Sequence, residues 1–329
     1  LTNRLMTRAF RVRQYAIYFS TQRCYILKMI AKKEQPFLFT PAASGTDGAK
    51  SLLLTSPHSG SYYPQSFMDA SCLDAHQIRL SEDMFVDALL ALAPQHGIGV
   101  LSAHYPRAYV DLNRAPYELE QALFEDTLPA HIDRRSTRAA AGLGTVPRLV
   151  AENIPIYAGR LRFSEAEARI KKIYQPFHSK LEAELSNIRK RSGYAVLLDA
   201  HSMPSQATRL SAEGRRIDFV LGDRHGRSCD NRLSDWLEVE LNKRGWLVAR
   251  NKPYAGGYIT DRYGRPADGI HAVQIEINRS IYMDEDNYTK HAGFERLQNE
   301  LTELVVSLAA QLPQWLDASL PDPTRSAAE

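Results

Sequence analysis

Cysteine is scarce: Cys24, Cys72 and Cys229 are the only three in 329 residues. Few, odd in number and far apart, they exclude a disulfide framework and a Cys-x-x-Cys zinc site, and they fit a reducing cytoplasm. Long hydrophobic runs are also missing. No apolar stretch approaches the ~20 residues of a membrane span, so no membrane partner is expected. The chain has no His-x-x-Glu metal pair, no Gly-x-Ser-x-Gly nucleophile elbow and no glycine-rich phosphate loop between a strand and a helix. Acidic residues are absent from positions 1–33, which carry eight arginines and lysines with Phe10, Tyr15, Tyr18 and Phe19 between them.

That basic segment distorts the formal charge of +3. Without it the body holds 33 basic against 38 acidic residues, a net of −5. A mildly acidic body argues against a nucleic-acid partner, which needs a basic face. Residues 1–33 read as a basic extension, disordered or translated from upstream of a start at Met29. A targeting or membrane-surface segment is the alternative reading.

What remains is an ordinary globular composition, 44% hydrophobic and 24% charged. Short apolar runs predict strands at 51–55, 97–101, 108–111, 194–200, 217–222, 246–250 and 271–277. Helical periodicity marks 82–95, 164–191, 228–244 and 286–312. Residues 34–49 read as an entry loop, 118–150 as loop-rich, 253–270 as a Gly/Tyr-rich loop and 317–329 as a frayed tail. Strands alternating with long helices indicate one α/β domain over 34–316, with a mixed, mostly parallel central sheet flanked by helices.

Chemistry-bearing residues gather where these strands end. Tyr194-Ala195-Val196-Leu197-Leu198 runs into Asp199-Ala200-His201-Ser202. Side chains two apart on a strand share a face, so Asp199 and His201 point together at the C-terminal end, where open α/β sheets bind ligands. A carboxylate beside a histidine is a common way to orient a metal ligand. The strand at 51–55 leads into Ser56-Pro57-His58-Ser59-Gly60, and Asp83 follows in Ser81-Glu82-Asp83. Further on come Arg107 with Asp111-Leu112-Asn113-Arg114, and then Gln274-Ile275-Glu276-Ile277-Asn278, a polar face at strand spacing where a core face is expected.

A catalytic zinc takes three protein ligands and keeps one position open. His58, Asp83 and His201 can supply them, with Asp199 orienting His201. Glu276 is then free to act as general base, and Arg107 to stabilise an oxyanion. Arg114 with Asn113 can clamp a substrate carboxylate. Each residue also has an ordinary structural use. His58 can cap a turn, Asp83 can start a helix, Asn113-Arg114 can form a surface turn, and Glu276 can pair with Arg279 or Arg107. A serine hydrolase built on Ser202 is disfavoured because adjacent strand residues face opposite ways.

Taken in order, these segments resemble the N-formylglutamate amidohydrolase family from about residue 50 to 300. The resemblance rests on Ser56-Pro57-His58-Ser59-Gly60 with Tyr63-Pro64, Asp83, Arg107-x3-Asp111-Leu112-Asn113-Arg114 and Asp199-Ala200-His201-Ser202-Met203-Pro204. It continues through Leu221-Gly222-Asp223-Arg224-His225-Gly226, Asn251-x-Pro253-Tyr254-x-Gly256-Gly257-Tyr258 and Gln274-Ile275-Glu276-Ile277-Asn278-Arg279.

The family is similar to the zinc carboxypeptidase and aspartoacylase-like hydrolases. That implies a zinc-carboxypeptidase-like fold, one zinc ion at the sheet's C-terminal edge, and hydrolysis of N-formyl-L-glutamate to formate and glutamate in histidine degradation. Position 61 is Ser where those relatives carry the Glu of His-x-x-Glu, so Asp83 takes the second ligand position. A dicarboxylate substrate implies a second cationic anchor, Arg148 or Arg265. Tyr254 and Tyr258 sit in a loop able to close over the site. The alternatives are a related zinc amidase or carboxypeptidase acting on another N-acyl amino acid or peptide, and an inactive binding protein on the same fold.

Overall fold

The most apolar segments of the chain end up side by side. The computed structural model describes residues 35–43, 50–132, 136–207, 214 and 216–317. The basic segment 1–33 and residues 318–329 of the expected tail lie outside them. Seven strands form the central sheet: β1 (Phe37–Thr40), β2 (Leu52–Ser56), β3 (Gly99–Ala103), β4 (Ala195–Met203), β5 (Phe219–Gly222), β6 (Val248–Arg250) and β7 (Ile270–Asn278). Their spatial order is β1-β3-β2-β4-β7-β5-β6. β3, β2, β4 and β7 run parallel; β1 lies antiparallel on β3, and β5, with β6 parallel to it, lies antiparallel on β7. The sheet is therefore mixed and mostly parallel, as expected.

Both faces of the sheet are covered, which is why its central strands read as continuous apolar runs rather than alternating ones. Leu54, Val196, Leu198, Val273 and Ile275 point to one face, against Leu237 of helix Asn231–Lys243 and Leu301, Leu304 and Leu308 of helix Gly293–Leu316. Leu53, Ala195, Leu197 and Ala272 point to the other, against Phe177, Leu181 and Leu185 of helix Gln175–Ser192. Gly193, left-handed at φ 78°, ends that helix and turns the chain into β4. On this second face the apolar pattern stops before the strands do. After Leu53, Leu197 and Ala272 the same-facing positions become Thr55, Asp199 with His201, and Gln274 with Glu276. The core ends there and a polar floor begins.

The structure departs from several of the predicted elements. Phe37–Thr40, expected within a loop, pairs with β3 as an edge strand. The periodic stretch 82–95 yields only the short helix Val86–Leu89 and a 3₁₀ turn at Ala93–His96, because Phe85 is left-handed at φ 64° and Pro94 opens the second turn. Residues 108–111 are not a strand. The Pro106 carbonyl accepts from the N–H groups of Tyr109 and Val110, closing a turn. A six-residue helix, Tyr258–Tyr263, interrupts the Gly/Tyr-rich loop. The last helix starts at Gly293 rather than near 286, because Asp284 Oδ1 accepts from the N–H groups of Asp286 and Asn287 and holds a hairpin turn. Among the described residues no helix is long and apolar enough to cross a membrane.

Candidate active site

His58, Asp83 and His201 meet at the C-terminal ends of β2 and β4, all three buried. His58 leaves β2 in a turn that approaches β3 closely. A Cβ on Gly60 would stand 2.1 Å from the Tyr105 carbonyl oxygen, so the turn admits only glycine there. Asp83 is tied back by its own N–H to the His58 carbonyl, 3.0 Å. His201 follows from the strand alternation that also orients Asp199.

The hydrogen bonds define which ring nitrogens face inward. His58 Nε2 is 2.8 Å from Asp111 Oδ1, and His201 Nε2 is 3.0 Å from Asp199 Oδ2. A carboxylate accepts, so both Nε2 atoms carry a proton, and with a cation bound both Nδ1 atoms would present a lone pair to it. These two Nδ1 atoms converge on Asp83 Oδ2, at 3.4 Å from His58 and 3.0 Å from His201. His58 Nδ1 is buried without a hydrogen-bond partner. Ligands about 2.0–2.1 Å from a tetrahedral zinc lie ~3.3 Å apart. These two spacings, the three ligand atoms lying within 4.8 Å of one another, and the Nδ1 of His58 without a hydrogen-bond partner therefore fit a small divalent cation, and carboxylates behind both imidazoles complete the pattern of a metal centre.

The surrounding charges are tightly organised. Burial pushes Asp83 toward neutrality, but hydrogen bonds and charge from His201 and His58 outweigh it and hold the carboxylate well below its ordinary pKa. Asp111 behaves alike: burial is overcome by Arg107 and His58. At His201 burial opposes the cation, and Asp199 and Asp83 win, raising its pKa. Glu276 sits opposite His201 in the β4–β7 register. It accepts from Gln274 Nε2 at 2.7 Å, and burial pushes its carboxyl up to about 7, against the pull of His201 and Arg107. A carboxyl poised near neutrality beside a metal-competent cluster can both take and return a proton.

A cavity of about 680 Å³ opens above this cluster, lined among others by Arg107, Arg114, Arg138, Tyr254, Glu276 and Arg279. Arg107 donates from Nη2 to Asp111 Oδ2 at 2.7 Å and remains a quarter exposed. Arg279 donates to Ser202 Oγ, to the Leu80 carbonyl and to Asp83 Oδ1. It thus positions Asp83. Ser202 Oγ is 3.3 Å from the same Asp83 oxygen, while the ring nitrogens of His201 bond to Asp83 and Asp199. No histidine serves Ser202 as a base.

Of the expected substrate contacts, Asn113 lines the cavity but has partners within the protein, and Arg148 and Tyr258 turn to other groups. The Asn113 amide is consumed by the protein, with Oδ1 accepting from the Ile259 N–H and Nδ2 standing 3.1 Å from His201 Nε2. It locks the loop before Tyr258–Tyr263 onto the site, and a Cβ on Gly257 would come within 2.4 Å of it. Arg148 turns to Glu120, Nε to Oε2 2.8 Å, because that carboxylate lies within reach on the same covering loop. Tyr258 packs on His178 and accepts from Arg262. Arg265, the alternative anchor, pairs with Asp268. Arg138 and Arg279 are the cavity arginines for which the sequence implies no role toward substrate or metal. Arg279 stood in the Gln274–Arg279 motif, whereas Arg138 carries no local signal.

Comparisons with known proteins show what the whole chain is similar to. Residues 50–283 match the family model for N-formylglutamate amidohydrolase. An N-formylglutamate deformylase of Pseudomonas putida is 33% identical over 241 residues, covering 72% of this chain and 84% of the relative. That of Pseudomonas aeruginosa is 32% identical over 242 residues, with the same coverage. The crystal structure of an N-formylglutamate amidohydrolase from Ralstonia eutropha JMP134 superposes with a TM-score of 0.78 at 34% identity, over 87% of this chain and 99% of that one.

Proposed function

The chain belongs to the N-formylglutamate amidohydrolase family, and from that premise we propose that it hydrolyses the formyl amide of N-formyl-L-glutamate to formate and L-glutamate. One observation of the structure carries the chemistry: the two buried Nδ1 atoms converging on Asp83, with Glu276 opposite His201. We assign the cation to zinc, held by His58, Asp83 and His201. Zinc in such a donor set supplies Lewis acidity, which makes water a nucleophile near neutral pH and polarises a carbonyl.

The residues of the chain do the rest. Glu276 takes a proton from the attacking water and returns it to the leaving amine nitrogen, so one carboxyl serves in both directions. Arg107, fixed by Asp111, presents its charge to the oxyanion that develops on the formyl oxygen. Arg114 holds the α-carboxylate. Its Nε and Nη1 are spent on the carbonyls of Leu143 and Asn113, which sets the direction of the remaining donor. Asn113 holds the loop at Gly257 through the Ile259 N–H rather than touching the substrate. The free thiols Cys72 and Cys229 fit action in a reducing compartment such as the cytoplasm.

The test is formate release from N-formyl-L-glutamate with bound metal measured in parallel, for wild type and Glu276→Gln. The wild type should release formate and hold about one zinc per chain. Glu276→Gln should keep the metal and lose about 10²–10⁴-fold in kcat. Full activity in the variant would remove Glu276 as the base. Bound zinc without formate release would leave a metallohydrolase of another N-acyl substrate.

A further inference from the structure

Four arginines line the cavity, and they differ in how their charge is used. Arg107 is paired with Asp111, and Arg279 with Asp83. Arg114 has two donors on carbonyls and its Nη2 4.0 Å from Asp111 Oδ2, an oxygen already taken by Arg107. The Arg138 guanidinium makes no hydrogen bond and no ion pair among the described residues.

Its backbone, in contrast, is fixed. Ser136 caps the turn Thr137–Ala140 by accepting from the Ala139 N–H and donating to Glu118, and the Arg138 carbonyl accepts from the Leu143 N–H. The uncommitted cation is therefore held on the cavity wall beside Leu143, whose carbonyl anchors Arg114. The two guanidinia sense each other. Burial makes the Arg114 cation less favourable, Asp111 supports it, and the like charges of Arg107 and Arg138 oppose it. An incoming carboxylate relieves that repulsion.

We propose that Arg138 is a specificity-determining residue, receiving the side-chain carboxylate of a glutamyl substrate while Arg114 receives the α-carboxylate. The inference rests on the formylglutamate hydrolase reading above. The order follows from position. Arg114 hangs on Asn113 and Asp111, which touch His201 and His58, and the α-carboxylate is bonded to the carbon that bears the reacting nitrogen. Arg138 stands farther out, solvent-exposed on the covering loop, where the longer arm of the substrate ends.

The experiment compares N-formyl-L-glutamate with N-formyl-L-glutamine, which has the same shape without the charge. In Arg138→Gln, kcat/KM for the glutamate substrate should fall at least about tenfold, chiefly through KM, and that for the glutamine substrate should stay within about twofold. Arg138→Lys should recover part of the loss. Calorimetric binding of the product L-glutamate should weaken in the same variants, with binding of L-glutamine unaffected. Equal losses on both substrates, or no loss on either, would overturn the assignment. A wild type that releases formate from neither would instead overturn the reading beneath it.

Discussion

Asp111 is buried, with its two oxygens shared among three donors: His58 Nε2 and its own turn's Asn113 N–H on Oδ1, and Arg107 on Oδ2. Its charge does more than hold a turn. By accepting from the Nε2–H it favours the His58 tautomer whose Nδ1 is aprotic and aimed at Asp83, which is the state a metal requires. Asp111→Asn keeps the size but loses the charge, and it strands Arg107 beside a neutral amide. We expect zinc affinity to drop about 10- to 100-fold, measured by competition with a chromophoric chelator. Unchanged affinity would mean that His58 is oriented by its turn alone. At this scale the sequence was informative about residue type and silent about direction. Asp-Leu-Asn-Arg announces polar chemistry, but only the fold shows that Asp111 faces His58 and that Asn113 faces His201 and the Ile259 N–H.

The helix Gln175–Ser192 reaches the site through one residue, His178. Its Nε2 donates to the Leu112 carbonyl inside the Asp111–Arg114 turn, and its Nδ1 accepts from the Tyr263 hydroxyl at the end of the helix Tyr258–Tyr263. One neutral imidazole thus joins three elements that frame the cavity. Burial lowers its pKa from 6.5 to about 4, aided by Arg262 and opposed by the Leu112 carbonyl and Asp199. The unfolded chain therefore binds a proton that the folded one refuses between about pH 6.5 and 4. Stability from this group is complete above pH 6.5 and is lost as pH falls toward 4, by about 3 kcal/mol at most. His178→Gln cannot take up that proton, so denaturant titrations should show a shallower loss over this window than in wild type. Parallel curves would rule the histidine out.

The same helix shows what was legible. The helical stretch it closes, expected over 164–191 and found over 163–192, and the apolar runs that became β4 and β7 stand out because burial dictates them. The covering segments 106–162 and 253–264 did not, because their shape is set by single contacts, such as Pro106 closing a turn, Glu120 capturing Arg148 and Gly257 meeting Asn113, which no local pattern encodes.

Across the whole molecule the three candidate ligands are contributed by separate stretches of chain. His58 follows β2, Asp83 follows the loop after it, and His201 is 118 residues beyond Asp83 on β4. In an unfolded chain nothing keeps them together, so a cation bound to the folded site stabilises the fold by mass action. Zinc at about a hundredfold excess over its dissociation constant contributes about 2.7 kcal/mol. For a domain of this size that corresponds to a rise in Tm of roughly 5 °C. Chelator treatment should lower Tm by that amount, and zinc should restore it. The shift should vanish in His58→Ala and in Asp83→Asn, because each removes one of three ligands. It should persist in Glu276→Gln, which lies across the register from His201 but is assigned to the proton rather than the metal. A shift of equal size in all four proteins would place the stabilising ion elsewhere on the chain, whereas its loss in Glu276→Gln would move Glu276 from the base to the ligand set.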